Sequence, residues 1–161
     1  MKKVFLISTP RSYSVCITRV LENVGIFEIF HEPYVPIFDS AQYPDLTKNW
    51  FRPGSFRTSK QILEAVDRAS EKSMVLVKDM SFAIHDYMSE ITDPDSIYIL
   101  LFRNPLDIFV SFTNKCCETD SCEVDFVDLS GYQKLLNISD ILDKSGCLNK
   151  LVVCSDDLES C

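Results

Sequence analysis

Glycine is scarce in this chain, with four in 161 residues and none before Gly25. A Walker A loop, G-x-x-x-x-G-K-[ST], is therefore absent. Histidine is scarcer: His31 and His85 are the only two, and none of the seven cysteines stands in a C-x-x-C pair. That composition argues against a structural zinc site. No apolar run approaches the roughly 18 residues that a membrane span requires. Basic side chains are in deficit, 16 Lys+Arg against 24 Asp+Glu, for a formal net charge of −8. Phosphate neutralisation by Lys and Arg supplies most nucleic-acid affinity, so nucleic acid is a poor partner for such a chain. The deficit is local: from Cys116 onward there are three basic and ten acidic residues. This end reads as a solvated acidic surface.

What is present fits an ordinary globular protein, 46% hydrophobic and 25% charged. The length suits one domain over residues 1–161. The start, Met1-Lys2-Lys3 followed by Val4-Phe-Leu-Ile7, is basic then apolar, but stops at Ser8-Thr-Pro-Arg11. That is too short for a signal-peptide core and reads as a first buried strand. A reducing, cytoplasmic setting with free, mostly buried thiols follows as the expectation. A redox-active group at Cys116, Cys117 and Cys122 is the weaker alternative.

Five β-rich apolar runs occur, at residues 4–8, 28–30, 74–77, 97–102 and 151–154. The fourth, Ile-Tyr-Ile-Leu-Leu-Phe, is continuously apolar, as a strand covered on both faces should be. Helical patterns lie between them. Residues 14–24 place Val15, Ile17, Val20, Leu21 and Val24 near one face, with Gly25 as C-cap. Residues 58–69 begin at Thr58 or Ser59 as N-cap. Helices over 82–91, 105–115 (opening with Pro105) and 132–142 follow. His85 falls inside the first of these and reads as structural. Strands alternating with helices predict an α/β three-layer sandwich, its central, mainly parallel sheet of about five strands joined by right-handed crossovers. Residues 36–56, with Pro36, Pro44, Pro53, Gly54 and five aromatics, read as a lid or binding loop. Trp50 and its neighbours read equally as packing beneath a long loop.

Two segments carry chemistry. The first strand runs through Ser8-Thr-Pro-Arg-Ser-Tyr-Ser14 straight into a helix. Such a junction aims backbone N–H groups and the positive helix end at one point, which suits phosphate or sulfate. Arg11 adds a planar fork, and Ser12 and Ser14 add hydroxyls. An ordinary strand-to-helix turn with Ser12 as N-cap is the alternative. The second segment, Leu101-Phe-Arg-Asn-Pro-Leu-Asp-Ile-Phe-Val-Ser-Phe112, ends a buried strand at Arg103 and carries Ser111 two helical turns on. Arg103 thus sits at the carboxyl edge where open α/β sheets hold ligands. A local salt bridge to Asp107 is its alternative.

Together these segments resemble the sulfotransferase family. Phe5-Leu-Ile-Ser-Thr-Pro-Arg-Ser-Tyr-Ser14 is similar to that family's 5′-phosphosulfate loop, and Arg103-Asn-Pro-Leu-Asp-Ile-Phe-Val-Ser111 to its 3′-phosphate motif. Phe30-His-Glu-Pro-Tyr34 and Val77-Lys-Asp-Met80 resemble segments of a subgroup, and Leu151-Val-Val-Cys-Ser-Asp-Asp-Leu158 the family's late strand. The resemblance implies a P-loop NTPase-like fold. It also implies sulfuryl transfer from 3′-phosphoadenosine-5′-phosphosulfate (PAPS) to a hydroxyl or amine of a small-molecule or glycan acceptor. It implies that Arg11, Ser12, Tyr13 and Ser14 hold the 5′-phosphosulfate and that Arg103 and Ser111 hold the 3′-phosphate. No metal is called for where arginine and loop amides neutralise charge. Glu32 or His31 would be the general base, with Glu32 favoured because a carboxylate in a partly closed pocket can be tuned toward useful basicity. Lys78 would meet the bridging oxygen.

Each of these has a plainer alternative. His31 reads equally as a satisfied strand-end histidine, and Lys78 with Asp79 as a salt bridge. Tyr13 stands where the family has glycine, which narrows or reshapes the loop. The family's basic, glycine-containing C-terminal part has no counterpart before Cys161, so the expectation is a short domain lacking it. Two further readings are a catalytically inactive interaction protein that keeps the fold, and a P-loop nucleotide-binding protein or small-molecule kinase.

Overall fold

The computed structural model describes residues 3–42, 56–117 and 131–159. Five strands form one all-parallel sheet in the order β2-β3-β1-β4-β5. They are β1 (Lys3–Ser8), β2 (Phe27–His31), β3 (Met74–Met80), β4 (Ile97–Phe102) and β5 (Lys150–Cys154). The helices are α1 (Ser14–Val24), α2 (Val35–Gln42), α3 (Ser59–Ser70), α4 (Ser81–Ile84), α5 (Met88–Ile91), α6 (Pro105–Cys117), α7 (Tyr132–Lys144) and α8 (Asp156–Glu159). The parallel sheet, covered by helices on both faces, is the α/β three-layer arrangement that the alternation of apolar runs and helical periodicity predicts.

β1 lies at the centre because Val4, Phe5, Leu6 and Ile7 are all buried, so both of its faces must be covered. The alternating side chains divide two cores. Phe5, Ile7, Val75, Val77, Tyr98 and Leu100 face one layer with Ile62 and Val66 of α3 and Leu135, Ile138 and Leu142 of α7. Val4, Leu6, Leu76 and Leu101 face the other, where Ile17 and Leu21 of α1 pack. Phe5 and Tyr98 stack across neighbouring strands with ring centroids 5.2 Å apart.

Local chemistry fixes the helix ends. Thr58, in extended backbone, accepts from the Gln61 N–H and caps α3, while Gly25 at φ 74° closes α1 by donating to the Glu22 carbonyl. Residues 36–42 of the expected loop are helical instead. Pro36 occupies the first turn of α2, where an N–H is dispensable, and Ile37 and Phe38 both donate to the Tyr34 carbonyl. Residues 43–55 of that expected loop, Trp50 among them, lie outside the described residues, as do Cys122 and the acidic residues between 118 and 128. The helix expected over 82–91 is broken: a 3₁₀ turn over His85–Tyr87 separates α4 from α5, with Tyr87 at φ −103°, ψ 1°. His85 therefore sits in that turn, hydrogen-bonded to Asp86. Cys16, Cys147 and Cys154 carry free thiols. Among the described residues no helix is long and apolar enough to cross a membrane.

Register aligns the carboxyl ends of the strands. Ser8 pairs with Met80 on one side and Leu101 on the other, His31 with Lys78, and Phe102 with Cys154. The chain leaves β1 toward β3 and β2, and leaves β4 toward β5. The loops after β1 and β4 therefore diverge and leave a crevice between them. That is the ligand position general to open α/β sheets.

Candidate functional site

The loop after β1 is bent by two left-handed residues that are not glycine, Arg11 at φ 60° and Tyr13 at φ 62°. Each costs roughly 1–2 kcal/mol, so the surroundings must hold them. Part of that hold is visible. Thr9 N–H donates to the Leu101 carbonyl at 3.0 Å, and Ser12 Oγ donates to the Thr9 carbonyl at 2.6 Å. Ser12 is thus used inside the loop and is not the N-cap of α1. Tyr13 is the N-cap, and its side chain makes no capping bond. The first amides of α1 have no intrahelical acceptor, which leaves them to serve an anion.

Arg11 and Ser111 meet across the crevice: Arg11 Nε donates to Ser111 Oγ at 2.8 Å. Both line a cleft of about 420 Å³ together with Pro10, Ser12, Tyr13, Ser14, Val15, Met80 and Arg103. All six residues expected to bind the donor, Arg11, Ser12, Tyr13, Ser14, Arg103 and Ser111, therefore share one cavity. Met80 is a lining residue that sequence reasoning did not assign. The two arginines bring positive charge to this cleft, and Asp107 and Asp156 beside Arg103 offset part of it.

Arg103 is mounted from several sides. Its guanidinium carbon lies 4.6 Å from the centroid of the Tyr13 ring. Its Nε stands 3.6 Å from Asp156 Oδ1 and 3.9 Å from Asp107 Oδ2. The local pairing with Asp107 is present but is not the closest one. Asp156 also accepts from Asn104 N–H at 3.1 Å, and Ser155 N–H donates to the Phe102 carbonyl at 2.7 Å. The start of α8 is in this way bolted to the end of β4. The Tyr132 hydroxyl donates to the Arg103 carbonyl. Burial first of all, with the negative charge of Asp156 adding, pushes that phenol up to about 12, so it remains a donor.

The residues expected to do chemistry lie at the ends of β2 and β3. Lys78 is fully buried, and its ammonium is paired with the partly exposed Glu32 carboxylate. Glu32 is the third left-handed non-glycine residue, at φ 52°, and its N–H donates to the Lys78 carbonyl at 2.6 Å. Lys78 therefore pairs with Glu32 and not with its neighbour Asp79. His31 is exposed. None of the three lines the cleft, but Lys78 Nζ lies 3.9 Å from the sulfur of Met80, which does.

Asp79, also fully buried, accepts from Tyr34 N–H at 2.7 Å and Met80 N–H at 2.8 Å. Burial pushes its carboxyl up to about 7, against the pull of those two amides, with Glu32 raising it further and Lys78 lowering it. Asp39 is raised as well, by burial and then by the charge of Glu32. Beside the cleft, on the far side of Tyr13, an apolar groove of about 370 Å³ runs between Cys16, Ile17, Val20, Leu21 and Leu158. Ser155 lines this groove, and its buried hydroxyl has no hydrogen-bond partner among the described residues. No cluster of three or more metal-ligating side chains occurs among the described residues.

No protein-family model matches the chain, and no curated protein matches it. Solved structures do. A sulfotransferase from Alicyclobacillus acidocaldarius superposes with a TM-score of 0.64 over 99% of this chain and 75% of its own, at 14% identity. The YorR protein of Bacillus subtilis, solved with phosphorylated GDP, superposes with a TM-score of 0.55 over 96% of this chain and 86% of its own, at 8% identity. The chain therefore has a fold that it shares with a sulfotransferase and with a protein that holds a phosphorylated nucleotide.

Proposed function

We propose that the chain binds PAPS and transfers its sulfuryl group to a hydroxyl or amine of a small-molecule or glycan acceptor. The observation that carries this reading is the cleft in which Arg11, Ser12, Tyr13, Ser14, Arg103 and Ser111 converge. Two sequence segments a hundred positions apart, each suited to an anion, share it through the Arg11–Ser111 bond. In this reading the amides at the start of α1 and the Arg11 guanidinium hold the 5′-phosphosulfate. Arg103 and Ser111 hold the 3′-phosphate. The apolar groove next to Tyr13 takes the nucleoside end, with the Ser155 hydroxyl available to a polar edge of the base.

Bound PAPS supplies an activated sulfuryl group. The acceptor's oxygen or nitrogen forms a new bond to sulfur while the bond from sulfur to the bridging phosphate oxygen breaks. Adenosine 3′,5′-bisphosphate leaves and the acceptor's proton goes to Glu32. Lys78 supplies positive charge where the bridging oxygen becomes negative. The ion pair holds the Glu32 carboxylate against the Lys78 ammonium, which lies 3.9 Å from the sulfur of the cleft residue Met80. Positioning and charge neutralisation then carry most of the catalysis, as in phosphoryl transfer.

Thermal shift with adenosine 3′,5′-bisphosphate, paired with transfer of labelled sulfate to an acceptor panel, tests the reading. A raised melting temperature and labelled product are expected. Stabilisation by ATP with magnesium alone would move the chain to the kinase-like reading. Stabilisation by neither would favour an inactive interaction protein.

A further inference from the structure

The turn that carries Glu32 straddles the end of β3. Side chains alternate across a strand, and Val75 and Val77 face one core while Leu76 faces the other. Asp79 therefore projects on the side of Val77, and Lys78 on the side of Leu76. Glu32 meets the Lys78 ammonium on the Leu76 side. Two residues later, Tyr34 N–H donates to Asp79 Oδ2 at 2.7 Å on the opposite side. Asp79 Oδ1 accepts from Met80 N–H at 2.8 Å, so one oxygen serves the turn and the other its own strand. A carboxyl group can accept from both amides at once, whereas an asparagine offers one acceptor oxygen. Between the two grips Glu32 holds a left-handed backbone at φ 52°, which a residue other than glycine keeps only where its surroundings impose it. The far end of the turn is anchored as well. Tyr34 is fully buried with its ring centroid 5.1 Å from that of Tyr87, and its carbonyl accepts from Ile37 and Phe38 at the start of α2.

We infer that Asp79 is a positioning residue for Glu32, clamping the turn after β2 to β3 from the side opposite Lys78 and so setting where the Glu32 carboxylate stands. This rests on the reading above in which Glu32 takes the acceptor's proton. Asp79 is not among the residues that line the cleft, and it acts through the backbone of the turn. Without the clamp the left-handed residue relaxes and its carboxylate moves away from Lys78. A displaced base loses rate steeply, because proton transfer requires hydrogen-bond reach in one geometry.

The first test is a double-mutant cycle on the urea unfolding constant at pH 5.5, with Asp79→Asn and Glu32→Gln. Burial above all pushes the Asp79 carboxyl up to about 7, so at this pH it carries its proton and Asp79→Asn alters no charge beside Lys78. In the unaltered chain Glu32→Gln should raise the unfolding constant by about 30-fold. In the Asp79→Asn background the rise should be smaller by about fivefold or more, as coupled neighbours require. Asp79→Ser, which keeps one short acceptor, replaces Asp79→Asn if the asparagine chain does not fold. The second test is transfer of labelled sulfate at pH 8 beside calorimetric titration with adenosine 3′,5′-bisphosphate. There kcat of the Asp79 variant should fall about tenfold or more beyond any fall in affinity. An additive cycle would overturn the inference. So would kcat and affinity falling together, since Asp79 would then support the site only as a whole. A coupled cycle in a chain that transfers no sulfate would uphold the placement of Glu32 and overturn the sulfuryl reading.

Discussion

Arg11 Nε and Ser111 Oγ, 100 positions apart in sequence, are joined by a 2.8 Å hydrogen bond across the crevice between β1 and β4. The bond ties the loop that approaches one end of an anionic ligand to the helix that follows Arg103. It orients the guanidinium while leaving its other donors for the cleft.

That geometry sets the outcome at position 11. Arg11→Lys keeps a point charge but loses the planar fork and the Nε donor, so part of any sulfuryl transfer should survive. Arg11→Ala should lose nearly all of it. Initial-rate measurements on the two variants check this, and equal rates would mean that the loop holds no sulfuryl group. Ser111→Ala should lie between the unaltered chain and Arg11→Ala.

Arg103→Ala removes one charge-assisted phosphate contact, and affinity for adenosine 3′,5′-bisphosphate should drop by about 2–3 kcal/mol. The side chain also faces Asp156, so removing it leaves that carboxylate with its bonds from Asn104 N–H and the Cys154 thiol. Circular dichroism should still report an intact fold, because Asp156 is partly exposed and water can serve it. Unchanged binding by a folded variant would remove Arg103 from the site.

The sequence made the strands and the two anion-binding segments legible for definite reasons. Residues 4–7 and 97–102 are continuously apolar, a pattern that fits a doubly covered parallel strand, and Arg103 and Ser111 lie in one stretch of chain. The pairing of Lys78 with Glu32 was not legible. It depends on β2 lying beside β3, and strand order is not written in local periodicity. The double hold of Asp156 on Arg103 and Asn104 was hidden for the same reason, since it needs β5 beside β4. The helix over α2 was masked by Pro36, which reads as a loop residue until its place in the first turn is known. Tyr13 stood out as a departure from glycine. Its contact with Arg103 required the fold.

Glu32→Gln removes the charge partner of a fully buried ammonium. Breaking such a pair from one side typically costs about 3–5 kcal/mol, because an uncompensated charge stays buried. Glu32 is 27% exposed, so water and the glutamine carbonyl offset part of this, and a loss of about 2 kcal/mol is expected. Sulfuryl transfer should be abolished, since the amide accepts no proton. Replacing both partners, Glu32→Gln with Lys78→Met, should recover stability by urea denaturation without recovering transfer. Recovery of transfer in the double variant would exclude the pair from the chemistry.

Asp79 makes stability depend on pH, and the sign follows from its surroundings. Burial lifts its carboxyl from an ordinary 3.8 to about 7, with the Glu32 charge adding, while Lys78 and the amides of Tyr34 and Met80 pull it back. The folded protein therefore keeps a proton that the unfolded chain has already released between those two values. By linkage, the stability from that proton is fully present below about pH 4 and is lost as pH rises through about 7. One pKa unit corresponds to about 1.4 kcal/mol, so the lift is on the order of several kcal/mol at its largest. The range from pH 5.5 to 8 brackets that raised value. The unaltered chain should lose stability across that window when unfolded with urea. Asp79→Asn cannot ionise, and its single carbonyl satisfies only one of the two amides. It should be less stable than the unaltered chain at pH 5.5 by about 1–2 kcal/mol. At pH 8 the gap should close or reverse, because only the unaltered chain then carries a buried charge. The same difference at both pH values would mean that Asp79 is already ionised in the fold, held by its two amides and by Lys78.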